Sequence, residues 1–235
     1  GTIWIGSQLA YLYSIDPVTE KFTRHHRVWG STESLYLDSL GNLWSGTTAG
    51  LYKFNPRTGE KTRYRHLAGD TTSISSNYVY DIFGAKNGIL WIGTTSGLNI
   101  FDASTGNFTR FSEKDGLPNN NVRGILGDHN GNLWLSTNKG LSKFNPTAET
   151  FRNYEAKDGL QSNEFNGGAF FKTPDGEMFF GGINGYNAFY PLTTVGPVTY
   201  SATDKEGVDE LQIYRVEEGV FKGVDTPFVP VNAIK

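Results

Sequence analysis

Five times along this 235-residue chain the same phrase returns: a glycine, any residue, an apolar residue, then an aromatic. The copies start at Gly1, Gly41, Gly88, Gly131 and Gly176, spaced by 40, 47, 43 and 45 residues. Their aromatics are Trp4, Trp44, Trp91, Trp134 and Phe179, so four of the five tryptophans occupy one repeat position. A tandem repeat of this length constrains the fold more than any other feature. Each unit is too small to bury both of its faces alone and must be covered by its neighbours.

The fourth unit shows what the repeat builds. Short apolar segments at Asn121–Leu126, Leu133–Ser136, Leu141–Phe144 and Thr150–Tyr154 are separated by Gly-, Asn- and Pro-rich turns, the pattern of successive hairpins. No segment keeps a 3.6-residue apolar period, which disfavours helix. Four antiparallel strands repeated every 40–45 residues predict an all-β fold, a β-propeller of four-stranded blades. The chain supplies about five repeat units, which either close as a five-bladed ring if a late strand completes the first blade or, the preferred reading, form part of a larger propeller. Runs such as LWLS and LWIG are apolar on successive residues because each blade is covered on both sides. The box aromatic is expected to fill the space between blades. The glycine two positions later (Gly6, Gly46, Gly93, with Ser136 in the fourth unit) is expected to admit a neighbouring backbone. Residues 1–191 are assigned to the blades. After Pro191 and Gly196-Pro197 the phrase stops, and 192–235 reads as a divergent β tail with strands near 198–202, 211–216 and 220–229.

Composition narrows the function. A net charge of −3 with 21 scattered Lys and Arg gives no footprint for nucleic acid. The absence of cysteine removes thiol catalysis and Cys-based zinc sites. The chain opens inside a unit, GTIWIG, and is read as a piece of a longer polypeptide.

Reactive constellations are sparse. HExxH, GxSxG and a phosphate-binding Gly loop are all missing. The histidines are His25, His26, His66 and His129; the adjacent pair would point to opposite faces of a strand. The stretch Asp128-His129-Asn130-Gly131-Asn132 has the look of a calcium loop but lacks the twelfth-position acid and flanking helices, and it occupies a hairpin slot. Asp115, Asp158 and Glu164 are repeat-associated carboxylates rather than a glycosidase pair. No catalytic residue, metal or cofactor is expected.

A ligand would meet the face that carries the loops between blades and the turns between second and third strands. The recurring Asn77, Asn120 and Asn163 are read as caps of their own loops, a structural role like that of the box aromatics. The candidates for ligand contact are Asn119, Asn121, Lys139, Glu164, Asn184, Thr48 and Thr95, beside Tyr78, Tyr80 and Phe165. Amides, hydroxyls and aromatic rings suit a carbohydrate. Of these the Asn138-Lys139 turn differs most between copies.

The phrases LW-x-G-T, GL-x-x-F-[DN]-P, F-T-x-[YF] and DGL-x-x-N-x-[VF], as in GTTSGLNIFDASTGNFTRF and DGLPNNNVRGI, resemble the two-component regulator propeller repeat over residues 1–191. The first unit departs from it by lacking DGL-x-x-N. The resemblance implies the periplasmic sensor region of a bacterial hybrid two-component histidine kinase, membrane-anchored through flanking regions and working as a homodimer. It implies a small-molecule or oligosaccharide ligand, a glycan or its breakdown product, and by position an immunoglobulin-like domain beginning in 192–235. Two other readings stay open: a propeller enzyme (a polysaccharide or streptogramin-type lyase, or a glycosidase) and a protein-interaction platform.

Overall fold

The computed structural model describes residues 1–8, 11–85 and 88–190, and the backbone of three further strands at 198–201, 212–217 and 220–223. Pro191, Gly196-Pro197 and the rest of the tail lie outside the described residues. Five antiparallel sheets follow one another along the chain. The first holds β1 (Ile3–Gly6), β2 (Tyr11–Ile15) and β3 (Phe22–Arg27). The second holds β4 (Thr32–Leu37), β5 (Leu43–Thr47), β6 (Gly50–Phe54) and β7 (Lys61–Tyr64), and the third β8 (Val79–Gly84), β9 (Leu90–Thr94), β10 (Gly97–Phe101) and β11 (Phe108–Phe111). The fourth runs β12 (Val122–Gly127), β13 (Leu133–Thr137), β14 (Gly140–Asn145) and β15 (Thr150–Tyr154). The fifth begins with β16 (Phe165–Lys172), β17 (Met178–Gly182) and β18 (Gly185–Tyr190). It continues by backbone pairing through β19 (Val198–Ser201), β20 (Gln212–Glu217) and β21 (Val220–Gly223).

Within each four-stranded blade the order is sequential, as hairpin connections dictate. The first strands of successive blades lie side by side, β4 against β8, β8 against β12 and β12 against β16, and β16 also reaches β8. These inner strands therefore gather around a common axis. Repetition of one sheet around an axis is the propeller architecture.

The box aromatic works between blades. Trp44, Trp91 and Trp134 are buried, and each meets the phenylalanine of the next blade's third strand. Trp44 lies 5.1 Å from Phe101, Trp91 5.5 Å from Phe144 and Trp134 4.9 Å from Phe189 between ring centroids. Trp4 makes the same contact with Phe54 at 6.3 Å. Phe179 differs: it is only half-buried, and its ring neighbour, Tyr186 at 6.0 Å, is on its own sheet.

The glycine after the box is required by close approach. A Cβ on Gly93 would lie 2.7 Å from the carbonyl oxygen of Val122 in the next blade. On Gly46 the obstacle would be a Val79 methyl, and on Gly6 the side chain of Thr32. The approach is thus backbone to backbone at Gly93 but backbone to side chain at the other two.

Two further features depart from the sequence reading. Single 3₁₀ turns occur at Glu113–Asp115 and Ala156–Asp158, where DGL-containing loops fold over; three residues are too few to show a helical period. His25 and His26, expected on opposite faces, both lie against Phe54, at 5.7 and 4.1 Å. The pairing of β2 with β3 steps from Tyr13↔Arg24 to Tyr11↔Arg27, and this irregularity breaks the alternation.

Candidate functional site

The loops that link blades and the turns between second and third strands meet on one face, clasped by their backbones. Gly97 N–H donates to the Asn120 carbonyl and Gly140 N–H to that of Asn163, each joining a turn to the loop that leads into the next blade. Thr48 and Thr95 N–H donate to the Ser31 and Tyr78 carbonyls of the loop leading into their own blade. Each interblade loop also sends one aliphatic side chain inward: Val28, Ile74, Leu117 and Leu160 are buried. The first loop, which lacks the DGL phrase, keeps the function of its leucine in Val28.

The recurring asparagines serve these loops. Asn77, Asn120 and Asn163 accept through Oδ1 from the N–H groups of His66, Glu113 and Ala156, at 2.9, 2.9 and 2.6 Å. The DGL aspartates do likewise: Asp115 accepts from Ser112 N–H and Asp158 from Glu155 N–H, both at 2.8 Å. In the DHNGN turn Asp128 accepts from the N–H groups of Asn130 and Asn132, so its carboxylate closes the hairpin.

The candidate ligand residues separate by whether their polar groups are already engaged. Thr48 Oγ1 accepts from Ser31 N–H, and Thr95 Oγ1 bonds Ser76 Oγ. Asn119 Oδ1 takes the Asn121 N–H, while Asn184 is tied to Gln161 through its own N–H and its amide. Lys139 and Glu164 are exposed, and Asn121 is half-exposed. Lys139 and Glu164 each sit one residue from the Gly140–Asn163 clasp, so the structure brings them to the same edge.

Sequence reasoning named Tyr78 and Tyr80 but missed Glu33, Arg123 and the group they form together nearer the axis. In β4, β8 and β12 the pairing with the next strand slips by one residue near the start, at Glu33, Tyr80 and Arg123. A slip recurs in β16 between Phe165 and Phe170. A bulge re-aims the extra side chain, and here bulge residues of neighbouring blades meet. The Arg123 guanidinium lies 4.7 Å above the Tyr80 ring, and its Nε donates to Asn138 Oδ1 at 2.9 Å. Tyr80 packs 4.5 Å from Tyr78. Burial raises the Tyr78 phenol, the neighbouring Glu33 carboxylate adds to the rise, and Arg123 opposes it. The Gly167 backbone of the fifth blade lies beside this pair: a Cβ there would meet Tyr80 at 3.7 Å and Arg123 at 3.8 Å, ordinary contact distances. The signal lay in one repeat slot, S-T-E-S, Y-V-Y-D and N-V-R-G, whose third residue changes chemistry in every copy while its neighbours hold the frame.

Beneath this group Asp81 ties three inner strands together. Its carboxylate accepts from Ser34 Oγ in β4 at 3.0 Å, from its neighbour Ile82 N–H at 2.8 Å and from Ile125 N–H in β12 at 2.9 Å. Burial pushes its carboxyl up to about 6 against the opposing pull of these hydrogen bonds. Fully enclosed, it is a strut and offers nothing to a ligand. Among the described residues no three His, Asp or Glu side chains converge as metal ligands would.

The architecture, a propeller with a loop-built face, defines the class of protein. A sequence model of the two component regulator propeller family matches residues 73–96 and 116–139. The chain therefore carries this family's repeat, as the recurring phrases suggested. Among solved structures, the chain is similar to the extracellular domain assigned to a hybrid two component system, BT3049, from B. thetaiotaomicron. That match has 26% identity and a TM-score of 0.71, covering 95% of this chain and 31% of the other. It is similar in fold to virginiamycin B lyase from Staphylococcus aureus, with 14% identity, a TM-score of 0.63 and coverage of 97% and 82%. It is also similar in fold to PorZ, a surface component of the type-IX secretion system of Porphyromonas gingivalis, with 16% identity, a TM-score of 0.58 and coverage of 92% and 39%. Among curated protein sequences nothing matches. The chain thus spans about a third of the extracellular domain it resembles. No helix of the described residues is long and apolar enough to cross a membrane.

Proposed function

We propose that this chain is a ligand-sensing, noncatalytic propeller segment from the extracytoplasmic region of a bacterial two-component signalling receptor. Its ligand is a glycan or a product of glycan breakdown. The observation that carries the reading is the likeness to the extracellular domain of BT3049 over nearly the whole chain, joined to the family repeat. The chemistry of the loop face supports it: neutral amides, hydroxyls and tyrosines surround a few unengaged charges, a surface suited to hydroxyl-rich ligands. Two of the three repeat carboxylates, Asp115 and Asp158, are consumed as loop caps, which favours binding over turnover. The likeness to the lyase is one of fold, and fold alone does not carry an activity.

In this reading loops fixed on a rigid scaffold hold the ligand, and the signal passes to the rest of a paired receptor by differential affinity for two arrangements. Titrating oligosaccharides into the chain and its variants tests the placement of the site. Lys139→Ala and Glu164→Ala are expected to weaken binding several-fold with an unchanged melting temperature. Unaltered affinity in both would move the site away from the Gly140–Asn163 edge.

A further inference from the structure

At the bulge slot of the inner strands the extra side chain is re-aimed out of the pairing register. The slot carries an acid, a phenol and a guanidinium in successive copies. Arg123 is half-buried and held on two sides, its face on Tyr80 and its Nε on Asn138. Among the described residues no carboxylate pairs with it. A guanidinium oriented in this way, with its terminal nitrogens uncommitted, is a fork for a carboxylate. Beside it the Tyr78 ring packs on Tyr80, and the Glu33 carboxylate, already turned to the Tyr78 hydroxyl, has further lone pairs for hydroxyl donors.

We infer that Arg123, Tyr80, Tyr78 and Glu33 form an axial subsite for an acidic sugar, a hydroxylated ring bearing a carboxylate. The carboxylate sits on Arg123, the ring lies against the tyrosines, and hydroxyls on the far side donate to Glu33. The inference rests on the reading of the domain as a glycan sensor and specifies what that sensor selects. Neutral sugars leave Arg123 without an anionic partner, and a site whose polar groups go unpaired discriminates against the wrong ligand.

Calorimetric titration decides it. The chain is titrated with digalacturonate, tetragalacturonate and a glucuronate-containing tetrasaccharide of hyaluronan, and with cellobiose and maltotetraose as neutral counterparts. At least one acidic sugar is expected to bind. Arg123→Met is expected to weaken that binding at least tenfold, Arg123→Lys to weaken it less, and Glu33→Gln to cost a few-fold, with melting temperatures near that of the parent. Binding of acidic sugars that survives Arg123→Met overturns the subsite. So does binding confined to neutral sugars, while leaving the glycan-sensor reading in place. If neither acidic nor neutral saccharides bind the folded parent chain, both the subsite and the glycan reading fall.

Discussion

At the scale of single residues, the box aromatic and Asp81 show how one side chain can join two or three blades. Trp91 is buried between its own blade and Phe144 of the next, and its removal leaves a cavity that neighbouring sheets cannot close. Trp91→Ala is expected to cost about 3–5 kcal/mol in denaturant unfolding. Phe179→Ala, at the same repeat position but half-exposed, should cost clearly less. Asp81 makes a pH-dependent contribution. Its carboxyl titrates near 3.8 when unfolded and about 6 when folded, so the folded state holds the proton more tightly. The stability this gives is complete below the unfolded value and is lost as pH rises through 6, on the order of 3 kcal/mol in all. His26 acts in the opposite sense, because burial first, then Lys61 and His25, lower it from 6.5 to about 4. Its contribution is present above pH 6.5 and lost on acidification through 4. Thermal unfolding of Asp81→Asn beside the parent separates the two. The variant should melt lower throughout, since an amide nitrogen would face one of the backbone donors, and the deficit should be larger at pH 4.5 than at pH 7. A pH-independent deficit would remove the titration from the account.

At the scale of elements, the strands were legible from hydrophobic pattern and turn residues. The predicted segments of the fourth unit differ from β12–β15 by one residue at most at any end. That accuracy has a physical source: Asn-, Gly- and Pro-rich turns fix hairpin register, and burial on both faces leaves continuous apolar runs. The bulges were not legible as bulges. A slip in pairing depends on the opposite strand, and Glu33, Tyr80 and Arg123 look like ordinary alternating polar positions when read in one strand. The same limit explains His25 and His26, where a slip against β2 put both on one side. The recurring asparagines were read correctly as loop residues, but which N–H each would accept depended on a loop of seven to eleven residues folding back. Asn163→Ala should leave the Ala156 N–H without its partner and lower stability by ~1 kcal/mol, measured as a shift of the urea midpoint. A loss of several kcal/mol would mean that the loop, and not merely its cap, had come apart.

At the scale of the whole molecule, repetition declared the architecture, whereas the candidate site is made from what does not repeat. Thr48, Thr95, Asn119 and Asn184 were chosen by position, and the structure engages the two threonine hydroxyls, Asn119 Oδ1 and the Asn184 amide nitrogen in holding the face together. Lys139 and Glu164 remain available at its edge, and Arg123 lies inward of them, bound to the same Asn138 turn. The sequence did single out that turn as the most variable. Its link to the axis came from a side-chain contact across fifteen residues, which no periodicity encodes. The central claim, that this face binds a saccharide without transforming it, is tested most directly by thermal unfolding against an oligosaccharide panel, with mass analysis of the recovered sugar. A true ligand at about a hundred times its Kd should raise the melting temperature by roughly 5–10 °C, and the sugar should be recovered intact. A cleaved sugar, or a melting temperature unmoved across neutral and acidic panels alike, would contradict the account.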